Sequence, residues 1–399
     1  MSNVAVSTPS RIPSHLVFDF DFMAPPGHED DVHAAWKNAV AGAPDIFWTP
    51  RNGGHWVAVR ADDIDVIHKD AERFSHESVT IPRQHGMRLA PLEYDPPEHA
   101  ALRAILSPSF GPKPMQELQD SVRVLCRELI DGLYARGECE FVQDFAKRLP
   151  IIVFLRLVDL PLSDREYLLV LTEKSVRGDA QQREEANQGL SAYVQKWIVE
   201  RRAQPSSDLI SKIVNAKIGG QPLAPDVTFG MLANVIFGGL DTVAASLSFV
   251  TRWLADNPQV RRQLAANPAM ISDADEEFYR RFGIPQTARV ITRDFEYKGV
   301  PFGRGDQIMV SKTLHGLDER RYPDPFKVDF HRKRALHAAF GDGPHRCPGS
   351  FLARQELRIF LEEWLVRIPE FSIKPGSKPV SSSGMVNGML SLPLVWDVK

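Results

Sequence analysis

The sequence predicts a mainly α fold: one large helical domain over residues 1–399 with a smaller β-rich region. Three observations carry this. Long stretches repeat apolar residues at helical spacing. Short strand-like pieces gather in the hairpin near residue 50 and again after residue 285. No internal repeat or low-complexity linker divides the chain, so few segments look separable.

Residues 1–28 read as an irregular arm, interrupted by Pro9, Pro13, Pro25 and Pro26. Residues 46–59 read as a hairpin, since aromatic and β-branched runs flank Asn52-Gly53, a strong turn signal. Helices are expected over 97–107, 114–135, 163–175 and 187–203; Met115, Leu118, Val122, Leu125, Leu129, Ile130 and Leu133 form an apolar face on the second. The span 225–255 is apolar on most sides, with Pro225 in its first turn and Pro258 beyond its end, and belongs at the protein's centre. Strands are expected at 288–291, 295–297, 307–310 and 391–396, and a last helix over 348–367.

Composition limits the function. Hydrophobic residues make up 43% and charged residues 25%, and the net charge of −3 gives no bulk attraction to nucleic acid or acidic membranes. Three cysteines, Cys126, Cys139 and Cys347, are too few and too odd in number for a disulfide framework and fit a reducing compartment. The start lacks an export signal, and no stretch approaches the roughly 20 apolar residues that span a bilayer, so a cytoplasmic protein is expected. A monomer is expected because no large apolar stripe is left unassigned.

Cys126 and Cys139 read as small buried hydrophobes. Cys347 differs. It lies at the mouth of a helix, where the dipole and free N–H groups favour an anion, after His345 and Arg346 and between Gly343 and Gly349. Those are features of a metal-bound thiolate. Within the apolar span stands Gly238-Gly239-Leu240-Asp241-Thr242. A carboxylate there is costly to bury unless paired, and Thr242 can bond back to a carbonyl and bend the helix. Glu277 and Arg280 share a helix face at i,i+3, and so do His99 and Arg103 at i,i+4, following Asp95-Pro96-Pro97-Glu98.

Phe340-x-x-Gly343-x-x-x-Cys347-x-Gly349 resembles the haem-binding signature of the cytochrome P-450 superfamily, fixing four residues over ten positions. The Asp-Pro-Pro-Glu-His block, the Gly-Gly-Leu-Asp-Thr groove, the Glu-x-x-Arg pair and the cysteine loop occur in the family's order over nearly the whole chain. Gly238–Val243, Gly316–Arg320, Leu352–Arg354, Glu363–Leu365, Arg367–Gly376 and Leu392–Asp397 are similar to the bacterial camphor 5-monooxygenase family.

The resemblance implies a cytochrome P-450 fold around a buried haem b. It implies Cys347 as axial thiolate, with Phe340 and Gly349 in the loop that holds the cofactor. It implies His99, Arg103, Arg289 and His345 on the haem propionates. Thr242 would hydrogen-bond the activated oxygen and Asp241 would relay protons to it, with the glycines leaving room for dioxygen and water. Glu277 and Arg280 would form a structural lock closed by Arg320 or Arg332. Electrons would come from a [2Fe–2S] ferredoxin served by an NADH-dependent flavin reductase, docking on a basic face of Arg334, Arg346 and Arg354 beside His331, Arg332 and Lys333.

Two departures from the family pattern matter. Pro348 has no N–H to aim at the sulfur. Met87 stands where the camphor enzymes carry a tyrosine that binds the substrate ketone, and methionine cannot donate that bond. Met87, Asn234, Phe237, Gly238, Met385 and Val386 are the expected pocket residues, for a compact hydrophobic substrate such as a terpenoid or a norisoprenoid of the ionone type. A peroxide-driven enzyme of the same fold generally lacks the acid–alcohol pair, and a haem sensor would need neither proton relay nor docking patch.

Overall fold

A computed structural model describes residues 5–84, 86–332 and 337–398. A five-stranded mixed sheet runs in the order Ile46–Thr49, His55–Ala58, Gln307–Ser311, Gln286–Ile291, Phe74–Ser75. Its first two strands are the expected hairpin, and the turn residues Asn52 and Gly53 have φ of 53° and 89°. His55–Ala58 lies parallel to Gln307–Ser311, which pairs antiparallel with Gln286–Ile291. The sheet is buried by the arm and by Ala61–Lys69 on one edge of the helical body. Residues 5–28 are largely irregular but not detached: Ile12, Leu16, Phe20 and Phe22 are buried, and Phe18 N–H bonds the Trp48 carbonyl.

The helical body forms around Pro112–Tyr134 and Ser350–Arg367, which pack along each other. Met115, Val122, Leu125, Ile130 and Leu133 are buried as the periodicity requires, and Leu118 and Leu129 are partly so. Trp364 anchors the other side, edge-on to Phe141, Phe145, Phe371 and Trp396. The rim is tied by Arg123 to Glu362 and Glu363 and by Arg127 to Glu363 at 2.6 Å. Helices Arg165–Arg177 and Ala180–Ala203 match the two expected next.

Three expectations need correction. The span 225–255 is not one helix: it is Pro225–Leu240 and Thr242–Asp256, parted at Asp241, whose φ and ψ are −121° and −31°. The Thr242 hydroxyl bonds the Gly238 carbonyl (3.3 Å), giving that carbonyl a partner at the break. The same 225–256 span is long and apolar enough to cross a membrane, contrary to the sequence reading. It packs instead against helices Arg148–Leu157, Ala180–Ala203 and Ser350–Arg367, as a core helix does. Third, the strand at 391–396 is two strands in different sheets, Gly388–Ser391 and Pro393–Val395. Leu392 between them gives its N–H to the Glu140 carboxylate and its carbonyl to Phe141 N–H, so it cannot continue either ladder.

Candidate active site

The cysteine loop is built by its glycines and one cap. Gly341 and Gly343 have φ of 72° and 69°, and a Cβ on Gly343 would lie 2.9 Å from the His68 carbonyl. Asp342 Oδ1 accepts the Gly343 N–H (2.7 Å), and the Cys347 N–H donates to the Phe340 carbonyl at 2.8 Å. The Phe340 ring is held between Tyr279 and the Arg354 guanidinium, 4.3 Å from its centroid. Cys347 thus sits three residues before Ser350, the first residue of the helix Ser350–Arg367, as its sequence position implies.

The electrostatics differ from expectation. Cys347 is accessible within the fold, yet enough protein surrounds the sulfur that burial raises its pKa; the Gly349 N–H and the charges of Arg103, Arg354 and Arg346 act the other way. Desolvation outweighs dipole and cations here. A metal reverses that balance, because a coordinating thiol is deprotonated outright. Pro348 offers no N–H, and the donor to the sulfur comes from Gly349 instead. Cys126 and Cys139 are buried, and burial pushes both thiols well up, so they act as hydrophobes.

Beside the loop, the structure brings His99, Arg289 and His345 together from three distant segments. The His345 ring lies 3.9 Å from that of His99, and its Nε2 is 2.7 Å from the Tyr94 carbonyl. Arg103 Nη2 donates to the Arg346 carbonyl at 2.5 Å. Two further histidines join them: His76 stacks flat on His345, and His68 Nδ1 meets Arg289 Nη2 at 3.1 Å. Neither is legible in residue order, since both stand alone in ordinary elements.

Burial pushes His345 down to about 3 and Arg289 down to about 9, with His99, Arg289 and Arg103 adding repulsion on His345. His99 Nε2, His345 Nδ1, Arg289 Nε, His68 Nε2 and His76 Nδ1 are buried without hydrogen-bond partners among the described residues. Such buried polar atoms are costly to leave unpaired. Asp95 is the acid that acts on Arg289, and its oxygens already take the Ser75 hydroxyl and the His76 N–H. A buried basic cluster short of acids fits a ligand bearing carboxylates.

On the other side of the helix break, Asp241 is buried and Thr242 is half-buried. The two glycines have separate tasks. A Cβ on Gly238 would meet nothing within 4 Å, whereas one on Gly239 would lie 2.4 Å from the Phe154 ring. Gly238 alone opens space; Gly239 lets two helices close. Gly239→Ala is therefore expected to cost about 1–3 kcal/mol in unfolding free energy, from overpacking. Gly238→Ala should change it by no more than about 0.5 kcal/mol. Equilibrium unfolding of both variants checks the contrast.

The pocket residues are only partly assembled. Asn234 and Phe237 are half-buried on Pro225–Leu240, and Met385 and Val386 are half-buried on the turn that bonds Ile284 to Gln286. The segment at 88–90 lies against Gly230, where a Cβ would be 2.2 Å from the Arg88 carbonyl. Met87 itself is 46% exposed, contrary to an enclosed pocket position, and follows Gly86, whose φ is 147°.

Glu277 and Arg280 form a buried fork, Nε to Oε2 and Nη2 to Oε1 both at 2.8 Å. Arg332 closes it at 3.2 Å; Arg320 goes instead to Asp45 at 2.6 Å. Arg354 is not a free surface cation: its guanidinium pairs with Glu276 and covers Phe340. Arg346 is exposed, and Lys333 and Arg334 lie outside the described residues.

Residues 280–394 match the family model for Cytochrome P450. A probable cytochrome P450 127A1 of Sinorhizobium fredii is 34% identical over 97% of this chain and 96% of its own length. The chain belongs to the cytochrome P450 family. The solved structures of CYP101J2 and CYP101C1 are each 37% identical, cover 98% of this P450 and all of their own chains, and superpose with TM-scores of 0.89 and 0.90. Steroid C26-monooxygenase of Mycobacterium tuberculosis is 29% identical over 92% of the chain and 94% of its own length. The fold, the thiolate-ligated haem b and the place near the bacterial camphor 5-monooxygenases all agree with the motifs, and the protein is a haem-thiolate monooxygenase.

Proposed function

We propose that this P450 hydroxylates a compact hydrophobic substrate, a terpenoid or norisoprenoid such as an ionone, with dioxygen and electrons from a [2Fe–2S] ferredoxin reduced by an NADH-dependent flavin reductase in the cytoplasm. The observation that supports the reaction type is a Cys347 loop flanked by a buried basic cluster, in a chain that also breaks its central helix at Asp241–Thr242.

Haem supplies the oxygen-activating iron when bound, and a thiolate donor favours O–O cleavage. Cys347 is the ligand, with Phe340 and Gly349 fixing the loop around it. His99, Arg103, Arg289 and His345 would hold the propionates by charge-assisted hydrogen bonds. Thr242 presents its hydroxyl at the break, and Asp241 takes protons from solvent and passes them inward. Asn234, Phe237, Gly238, Met385 and Val386 shape a largely apolar pocket, and position 87 has no tyrosine to donate to a ketone. Hydrocarbon-rich rings are favoured over substrates needing that bond.

Docking of the ferredoxin rests on Arg346, with Arg334 a proposed contributor. Arg354 positions Phe340 and the loop behind it. The test is a panel of cyclic terpenoids and ionones scored by high-spin shift, NADH consumption and product, with ferredoxin turnover followed against ionic strength. Shifts and coupled turnover with these compact cyclic compounds support the proposal. No shift with any of them, or a flat salt profile, contradicts the substrate class or the steering respectively.

Pro348→Leu restores an N–H next to the sulfur. A second donor beside that of Gly349 would draw charge from the thiolate. The reduction potential of the iron is expected to rise, and potentiometric titration of the two proteins decides it; an unchanged or lower potential refutes the role given to the proline.

A further inference from the structure

Lys312 follows the strand Gln307–Ser311 directly, and only 4% of it is exposed. Its Nζ donates to the Thr287 hydroxyl at 2.7 Å and to the Val310 carbonyl at 3.3 Å. Both acceptors are neutral, and no carboxylate pairs with this ammonium among the described residues. A buried ammonium with no counter-ion is strongly disfavoured, and burial together with Arg289 drives Lys312 well below the usual lysine range.

Its position explains what would relieve this. Thr287 and Arg289 are two apart on the strand paired with Gln307–Ser311, so they share one face. Thr287 Oγ1 accepts from Lys312 and also from Arg289 Nη1 at 3.3 Å. With both lone pairs engaged, its own proton is free to donate outward. Arg289 continues to His68 Nδ1, so Lys312, Thr287, Arg289 and His68 form an unbroken hydrogen-bonded run. That run leads into the cluster of buried donors lacking partners. Asp95 is the carboxylate that acts on Arg289, and Arg289 in turn repels Lys312. Propionates would bring the negative charge that this run lacks.

We propose that Lys312 is a further positioning residue for the haem, an ammonium that holds a propionate directly or through the Thr287 hydroxyl. This rests on the assignment of Arg289 and His345 to the same carboxylates. Lysine differs from those partners in having a compact charge with rotatable donors, so it can follow a propionate that shifts.

The experiment compares holoenzymes of wild type, Lys312→Met and Lys312→Gln. Haem transfer to apomyoglobin is timed, and apoprotein binding of haem is compared with binding of its dimethyl ester. Lys312→Met is expected to release haem roughly tenfold faster, the size of one charged hydrogen bond. It should also narrow the gap between haem and the ester, since the ester has no carboxylate to lose. Lys312→Gln, which keeps a donor to Thr287, should fall between. Release within twofold of wild type together with an unchanged ester gap overturns the proposal. Should the variants not fold, the wild-type holoenzyme structure decides. Nζ or the Thr287 hydroxyl within about 3.2 Å of a propionate oxygen supports it; both turned away overturns it. A normal thiolate carbon monoxide band with unaltered release would sink the lysine role alone, whereas absence of the band from wild type would sink the ligand assignment.

Discussion

Replacing Thr242 by alanine is expected to leave the enzyme consuming NADH and oxygen while product per NADH falls roughly tenfold or more, the lost electrons appearing as peroxide; general acid and base groups typically contribute at least this much. The geometry gives the reason. Asp241 caps the junction between two helices and Thr242 begins the second, so the ladder is interrupted at this pair. The Thr242 hydroxyl is parked on the Gly238 carbonyl at 3.3 Å, a long bond that is easily given up. Alanine removes the hydroxyl but leaves the space beside Gly238 unchanged. Oxygen can therefore still enter, while proton delivery loses its last donor. Peroxide and product quantified against NADH check this. Tight coupling in Thr242→Ala would remove the role assigned to the pair.

The largest effect on folding is expected from Arg280→Leu. Arg280 is 1% exposed and binds more than Glu277: Nη1 reaches the carbonyls of Gly316 (2.6 Å) and Pro325 (2.7 Å), and Nη2 that of Lys327 (3.0 Å). One guanidinium thus joins the helix Ile271–Arg281 to the loop that leads to the cysteine. Leucine leaves a buried carboxylate and three carbonyls short of donors. Breaking a buried pair costs about 3–5 kcal/mol, a large share of the 5–15 kcal/mol typical of a folded protein. Removing Glu277 as well should not restore stability, because the carbonyls remain unsatisfied. Soluble yield, haem content and urea unfolding of the single and double variants measure it; wild-type unfolding of Arg280→Leu would contradict the account.

Much of this was legible in residue order. The hairpin was readable because Asn52-Gly53 needs positive φ, and the helices because their apolar faces have tertiary partners. The Glu277–Arg280 fork followed from i,i+3 spacing. Its closing arginine did not, since Arg320 and Arg332 both lie in loops where spacing carries no direction; the structure chooses by giving Asp45 to Arg320. The helix break was only half visible. Gly238, Gly239 and Thr242 marked weakness, but which glycine opens space depends on Phe154, about 85 residues away in sequence. His68, His76 and Lys312 were hidden for the same reason: a lone histidine or lysine acquires meaning only when strand pairing sets it beside Arg289. Arg354 was misjudged as surface charge because its partner Glu276 comes from another helix.

The central claim is that the Cys347 thiolate is the axial ligand, and the carbon monoxide difference spectrum of the reduced protein tests it most directly. Wild type is expected to give a Soret band at the long-wavelength position of a thiolate-ligated haem, and Cys347→Ser to lose that band while Cys126→Ser and Cys139→Ser keep it. A wild-type band at the shorter wavelength of a histidine-ligated haem, or a thiolate band that survives in Cys347→Ser, would contradict it.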